Sequence, residues 1–241
     1  MQSKILTNQE IRRYHKQIIL PEIGIEGQEK IKQSSVLVIG AGGLGTPVLQ
    51  YLAAAGVGTI GISDNDLVDE TNLQRQVLYG SNDLGKQKAI ISREKLRQLN
   101  HMNNYMIHNI FLSGENINTI CSDYDVIIDA TDNFESRFRV ADICRHISKP
   151  IVYGAIYKYE GQVTVFNYNE GPGIRDLFPD LPGREQIPEN NDTGVLGVLP
   201  GIIGTLQAAE ALKIITGIGH VLSGKLLMIN LLKGVFKEIV Y

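Results

Sequence analysis

Two kinds of apolar pattern alternate along this chain. Short unbroken runs bounded by Gly, Asp or Asn, at 36–39 (VLVI), 59–63 (TIGIS) and 124–130 (YDVIIDA), predict strands buried on both faces of a parallel sheet. Longer segments at 88–99, 134–147 and 200–216, and the Leu- and Ala-rich run after position 45, predict helices, the last of them stopped by Gly217. A strand is expected at 105–110 and a short helix at 114–121. Two or three strands, partly antiparallel, are expected at 150–168, and two closing strands at 224–231 and 235–241. Thr7-Asn8-Gln9-Glu10 reads as a capping box. It opens a helix with Ile11, Tyr14 and Ile18 on one face and Pro21 as its stop, and a second helix follows at 25–32. Residues 1–34 thus form a helical extension ahead of the first core strand, able to lie across the sheet or a partner subunit. Residues 170–198, rich in Gly, Pro and Asp, read as a long flexible loop. The class is α/β, with one domain over 1–241.

Composition narrows the partners. The 241 residues suit one large domain, and 43% apolar content supplies an ordinary core. Lys and Arg number 23 against 26 Asp and Glu, a net charge of −3, so no nucleic-acid footprint is expected. No apolar run is expected to be long enough to cross a bilayer, and the polar N-terminus does not read as a signal peptide, so a cytoplasmic location is expected. Two cysteines, Cys121 and Cys144, are too few for a disulfide framework or a four-thiolate zinc site.

Chemistry gathers after the first strand. Gly40 permits a tight turn, Gly42 and Gly43 let backbone amides approach a phosphate, and Gly45 lets the next helix pack closely. That helix N-terminus offers unpaired donors to an anion. Asp64 ends the second strand, where a carboxylate can hold ribose hydroxyls. The arrangement points to a Rossmann-like sheet with helices on both faces and a nucleotide at its edge. The structural alternative is a plain strand-turn-helix. The next twenty or so polar residues hold Asn72, Gln74 and Arg75, and Lys88 opens a helix; together these are donors suited to phosphates. Asp132 lies beyond the end of the 124–130 strand and faces a ligand, caps the following helix, or does both. Taken alone, Arg12, Arg13 and Lys16 read as a solvated face, and the five histidines as structural or surface residues.

GAGGLG (40–45), Asp64, TNLQRQ (71–76), Lys88, DATDN (129–133) and GVLGVLPGIIGTLQAAEALK (194–213) together resemble the ThiF/MoeB/HesA family of adenylating enzymes, over nearly the whole chain. The resemblance implies ATP- and magnesium-dependent adenylation of the C-terminal glycine of a small ubiquitin-fold sulfur carrier ending in Gly-Gly, serving thiamine or molybdopterin synthesis. It implies Gly40, Gly42 and Gly43 at the phosphates, Asp64 at the ribose, and Asn72, Leu73, Gln74 and Asn133 around the nucleotide. Arg75 and Lys88 would neutralise the triphosphate and Asp132 would hold magnesium. Lys16 falls where relatives usually carry an arginine donated to the partner subunit's ATP, so a homodimer is implied. Gly173 and Asp176 stand where many relatives begin a zinc-binding set of cysteines, so zinc is not expected. A loop cysteine of some relatives aligns with Asn190, which implies that an external persulfide donor supplies the sulfur. Other readings are adenylation of another acceptor (peptide or tRNA), a weakly active scaffold, and an NAD-dependent oxidoreductase, which leaves NLQRQ and TDN unexplained.

Overall fold

The computed structural model describes residues 5–110, 116–180 and 194–241. Asn190, and with it the aligned loop position, lies outside them. The N-terminal extension forms α1 (Asn8–Arg13), α2 (His15–Ile18) and α3 (Gly24–Gln33). The capping box is present, with Glu10 N–H donating to Thr7 Oγ1 and Thr7 N–H to Glu10 Oε2. The single first helix expected from the sequence is instead broken at Tyr14 (φ −93°, ψ 12°), and the second break comes before Pro21. The Tyr14 ring packs on Gly56 and its hydroxyl accepts from Asn100 Nδ2 at 2.8 Å, tertiary contacts that a helical period does not record.

Five parallel strands follow: β1 (Ser35–Ile39), β2 (Thr59–Ser63), β3 (Asn104–His108), β4 (Val126–Asp129) and β5 (Ile151–Tyr157). β6 (Glu160–Phe166), β7 (Lys225–Asn230) and β8 (Val235–Val240) extend the sheet antiparallel, in the order β3-β2-β1-β4-β5-β6-β7-β8. The helices α4 (Gly45–Ala55), α5 (Lys88–Leu99), α6 (Ile117–Ser122), α7 (Phe134–His146), α8 (Ile174–Leu177) and α9 (Val198–Thr216) cover it. Alternation within β1 explains the two layers. Val36 and Val38 join a core with Leu49, Leu52, Ile203 and Ala208 from α4 and α9, whereas Leu37 and Ile39 join a second core with Cys121, Phe138 and Cys144 from α6 and α7. At the far edge, every residue of β8 is exposed.

At 19 residues, α9 is long and apolar enough to cross a membrane, which corrects the expectation that no run reaches that length. It packs on the sheet, with Leu199, Ile203 and Ala211 fully buried. Gln207, midway along it, donates from Nε2 to the carbonyls of Asp129 (2.7 Å) and Val152 (3.1 Å), which clamps α9 over β4 and β5.

Candidate nucleotide-binding site

Strand register brings the predicted chemistry together. Ile39 pairs with Ser63 on β2 and with Asp129 on β4, so β1, β2 and β4 end level with one another. The order reverses at β1, with β2 on one side and β4 on the other, and a crevice at such a switch point is where open α/β sheets take ligands. The ends are stitched across: Gly40 N–H donates to Ser63 O (2.8 Å) and Ala130 N–H to Ile39 O (2.9 Å). Gly40 has φ +97°, and a Cβ there would lie 2.6 Å from Ala130 O. At Gly45 a Cβ would fall 1.8 Å from Gly40 O, so α4 begins directly against the turn.

Asp64 closes the turn from the β2 side. Its Oδ2 accepts Ala41 N–H at 2.7 Å and its Oδ1 accepts Asp66 N–H at 2.8 Å. Burial pushes its carboxyl above the ordinary range, opposed by those two amides and by Lys88. Beneath, the Tyr79 hydroxyl donates to Ala41 O at 2.8 Å and lies 2.9 Å from Ser92 Oγ, a support that the sequence offered only as one Tyr in a polar stretch.

The 71–76 segment lies over the glycines. A Cβ on Gly43 would sit 3.5 Å from Arg75 Cδ, and one on Gly42 3.5 Å from Gln76 Nε2. Arg75 Nη1 donates to Thr71 O at 3.1 Å. Asn72 Oδ1 accepts from Gln76 Nε2 at 2.6 Å, so Gln76, four residues on and buried, is a site residue that the sequence reading passed over. Leu73 packs against the small cluster of Val68, Leu78, Tyr79 and Ile91 and anchors the segment. Gln74 abuts Gly197 at the start of α9. Lys88, with its side chain only 6% exposed, donates from Nζ to Asp66 Oδ2 at 2.9 Å.

On the β4 side, the TDN turn is fixed by buried groups. Asp129 Oδ1 accepts from Thr131 N–H (3.0 Å) and Thr131 Oγ1 (2.7 Å). Arg137, also missed from sequence, donates from Nη2 to Thr131 O at 2.7 Å and from Nη1 to the Tyr153 hydroxyl at 3.1 Å, between the Phe134 and Tyr153 rings. Asn133, not Asp132, caps α7: its Oδ1 accepts Ser136 N–H at 2.9 Å. This corrects the capping alternative for Asp132, whose residue stays exposed at the crevice. An exposed carboxylate beside phosphates is the donor set magnesium takes, one protein oxygen ligand completed by substrate and water. Among the described residues no group of three or more His, Cys, Asp or Glu could hold a metal.

One predicted site residue lies elsewhere. Lys16 is exposed on α2, whose Gln17 Nε2 donates to Ala55 O at the C-terminal end of α4. The glycine turn is at the other end of that helix, roughly 16 Å away at 1.5 Å per residue. At Gly173 and Asp176 the structure has a helix cap, Gly173 N–H donating to Asp176 Oδ2 at 2.7 Å as α8 begins.

A family model described as ThiF family matches residues 14–240. The chain belongs to the ThiF family. A sulfur carrier protein adenylyltransferase from Thermus thermophilus is 46% identical over 238 residues, 97% of this chain and 88% of that protein. A probable molybdopterin-synthase adenylyltransferase from Porphyra purpurea is 52% identical over 92% of this chain. The chain spans 58% of the Porphyra protein's length, and 52% of that of an adenylyltransferase and sulfurtransferase MOCS3 from Xenopus laevis. Among solved structures, selenomethionine PaaA superposes with a TM-score of 0.85 at 25% identity, covering 100% of this chain and 76% of that one. The likeness to PaaA shows that the fold is a shared one.

Proposed function

We propose that this chain is an ATP-dependent adenylyltransferase that activates the C-terminal glycine of a small ubiquitin-fold sulfur carrier, for thiamine or molybdopterin synthesis. The observation that carries the reading is the convergence of the glycine turn, Asp64, Arg75, Lys88 and the TDN turn at one switch point. The names of the Thermus and Porphyra relatives support the carrier as acceptor.

The chemistry follows from charge. The carrier carboxylate is already ionised at neutral pH, so it attacks the α-phosphorus without a general base. A carrier-CO–O–P bond forms, the bond to the β-phosphate oxygen breaks, and pyrophosphate leaves with its electron pair. Negative charge grows on the phosphoryl oxygens, and catalysis is mostly positioning and charge stabilisation. The backbone amides of 42–45, at the start of α4, bind phosphate, Asp64 orients the ribose, and Arg75 and Lys88 stabilise the departing charge. Asp132 would hold magnesium, which supplies Lewis-acid stabilisation of the phosphates.

The proposal includes a homodimer in which Lys16 completes the neighbour's site. Exposed Ile19, Leu20 and Tyr51, with a shallow hollow lined by Gln17, Ala55, Thr205 and Leu212, support a second copy against α2, α4 and α9. It also includes a cytoplasmic setting and an external persulfide donor.

The test is magnesium-dependent ATP–pyrophosphate exchange with a carrier bearing a free Gly-Gly end. Exchange is expected only with carrier present and is lost in Asp132→Ala and Arg75→Ala. Wild-type protein without exchange would leave a scaffold, and exchange persisting in Asp132→Ala would remove that residue from the site.

A further inference from the structure

Between the residues assigned to ribose and phosphate lies a carboxylate with no part in the proposed chemistry. Asp66 contacts Lys88 twice: its backbone O accepts Lys88 N–H at 2.9 Å, and its Oδ2 accepts Lys88 Nζ at 2.9 Å. A short antiparallel pairing holds the two segments, with Leu67 opposite Gln87 and Val68 N–H donating to Lys86 O at 2.8 Å. The pair is lopsided: the lysine side chain is 6% exposed and the aspartate side chain 65%. The ammonium is thus sunk in protein and ion-paired with Asp66 at the mouth, while Asp64 adds a second, more distant negative charge. Asp66 N–H meanwhile donates to Asp64 Oδ1, so the same residue fixes the ribose-side acid by its backbone and the phosphate-side cation by its carboxylate.

We propose that Asp66 is the resident counterion of Lys88, a positioning residue that holds the buried ammonium ready at the mouth and lowers the site's affinity for phosphate-bearing ligands. Before a nucleotide arrives, Asp66 keeps the ammonium paired, since an unpaired charge at such burial is costly. When phosphate arrives, Lys88 shares its donors between two anions, and Asp66 repels the newcomer. The opposition grows with phosphate charge: absent for adenosine, greatest for ATP and pyrophosphate. The carboxylate therefore favours release of pyrophosphate as well as restraining its binding.

This rests on the reading of Lys88 as a phosphate contact, and the experiment separates the two. Calorimetric titration of the full chain with adenosine, AMP, ATP and pyrophosphate compares wild type, Asp66→Asn and Lys88→Gln. Asparagine keeps the acceptor oxygen for Lys88 and the backbone bridge and removes only the charge. Asp66→Asn is expected to tighten ATP and pyrophosphate about fivefold, AMP less, and to leave adenosine unchanged. A structural role would weaken all four ligands together, or move adenosine as much as ATP. Unchanged or weakened ATP binding in Asp66→Asn, with ATP binding lost in Lys88→Gln, would overturn the counterion role and keep Lys88 at the phosphates. Wild-type ATP binding in Lys88→Gln would overturn both. Asp66→Ser, with its small neutral side chain, serves if the asparagine variant fails to fold.

Discussion

Asp64 accepts the backbone N–H of Ala41 at 2.7 Å, so the acid that ends β2 is tied to the glycine turn that ends β1. Asp64 is thus part of the turn's own hydrogen bonding as well as the group proposed to hold the ribose. Asp64→Ala leaves the amides of Ala41 and Asp66 without this acceptor in a partly buried place. Loss of such acceptors costs about 1–3 kcal/mol each where water cannot replace them. The expected outcome is loss of measurable ATP binding by calorimetry together with a lower Tm. Asp64→Ala with unchanged ATP affinity would show that the carboxylate serves the turn alone.

The close approach of α4 to the turn sets a steric prediction. A methyl at Gly45 would sit 1.8 Å from Gly40 O, backbone that cannot move without shifting β1 or the turn. Overpacking typically costs about 1–3 kcal/mol, and here the obstacle is backbone, so Gly45→Ala should lose at least about 3 kcal/mol or fail to fold. Gly201, on the first turn of α9, has nothing within 4 Å of its added Cβ. Gly201→Ala should be neutral or gain up to about 1 kcal/mol from helix propensity. Chemical denaturation of both variants is the measurement.

These two glycines also mark how far the sequence could be read. An apolar run into GAGGLG can be recognised because buried parallel strands and phosphate turns each restrict residue type, and strand, turn and α4 all stand where expected. The TDN turn is legible in the sequence, but its division of labour is not. Thr131, Asp132 and Asn133 are adjacent residues that can all accept, and only the backbone path makes Asn133 the cap. Asp66 and Gln76 escaped for another reason: irregular polar segments carry no period, and their roles come from contacts with Lys88 and Asn72 that form only on folding. The break at Tyr14 is likewise tertiary, made by contacts to Gly56 and Asn100.

The N-terminal extension carries a pH dependence. Burial pushes the Glu10 carboxyl up, but hydrogen bonds from Lys32 and Thr7 more than reverse this and leave it below its ordinary 4.5. A lowered acid contributes stability that is present above pH 4.5 and lost as pH falls through the folded value. Glu10→Gln should lower stability by about 2 kcal/mol at pH 7, since it breaks a charge-assisted contact. It should also flatten the dependence of Tm on pH below 4.5. Thermal melts across that range check it, and parallel curves for the two proteins would remove Glu10 as the titrating group.

Assembly is tested by complementation. Lys16 stands at the far end of α4 from the chain's own glycine turn, so a role in adenylation requires a second subunit. Lys16→Ala and Asp132→Ala chains, each inactive in exchange, should recover activity when mixed, because one site in each heterodimer keeps Asp132 from one chain and Lys16 from the other. At full exchange of subunits, half the chains are in heterodimers with one competent site each, so about a quarter of wild-type activity is expected. A monomer in sedimentation at micromolar concentration, or no recovery on mixing, would refute the shared site.

The last prediction concerns sulfur. Cys121 lies on α6 and Cys144 on α7, both fully buried and hydrogen-bonded to each other as free thiols. The hydrogen bond between the two thiols, and then burial, push Cys144 well above its ordinary range, while the same contact draws Cys121 below its own. A nucleophilic cysteine needs the thiolate and access to its electrophile, and this pair has neither solvent access nor a place at the crevice. They stand in the core with Leu37, Ile39 and Phe138, as small apolar groups do. The chain should therefore stop at the acyl-adenylate and pass it to an external persulfide. Mass spectrometry of enzyme, carrier, ATP and a sulfide source should find no covalent enzyme–carrier species, with or without reductant. Replacing both cysteines with alanine should keep exchange activity while lowering stability by about 1–3 kcal/mol through lost packing. A reductant-sensitive carrier adduct mapped to Cys121 or Cys144 would show instead that the α6–α7 pair opens during turnover and that one of its thiols takes the carrier.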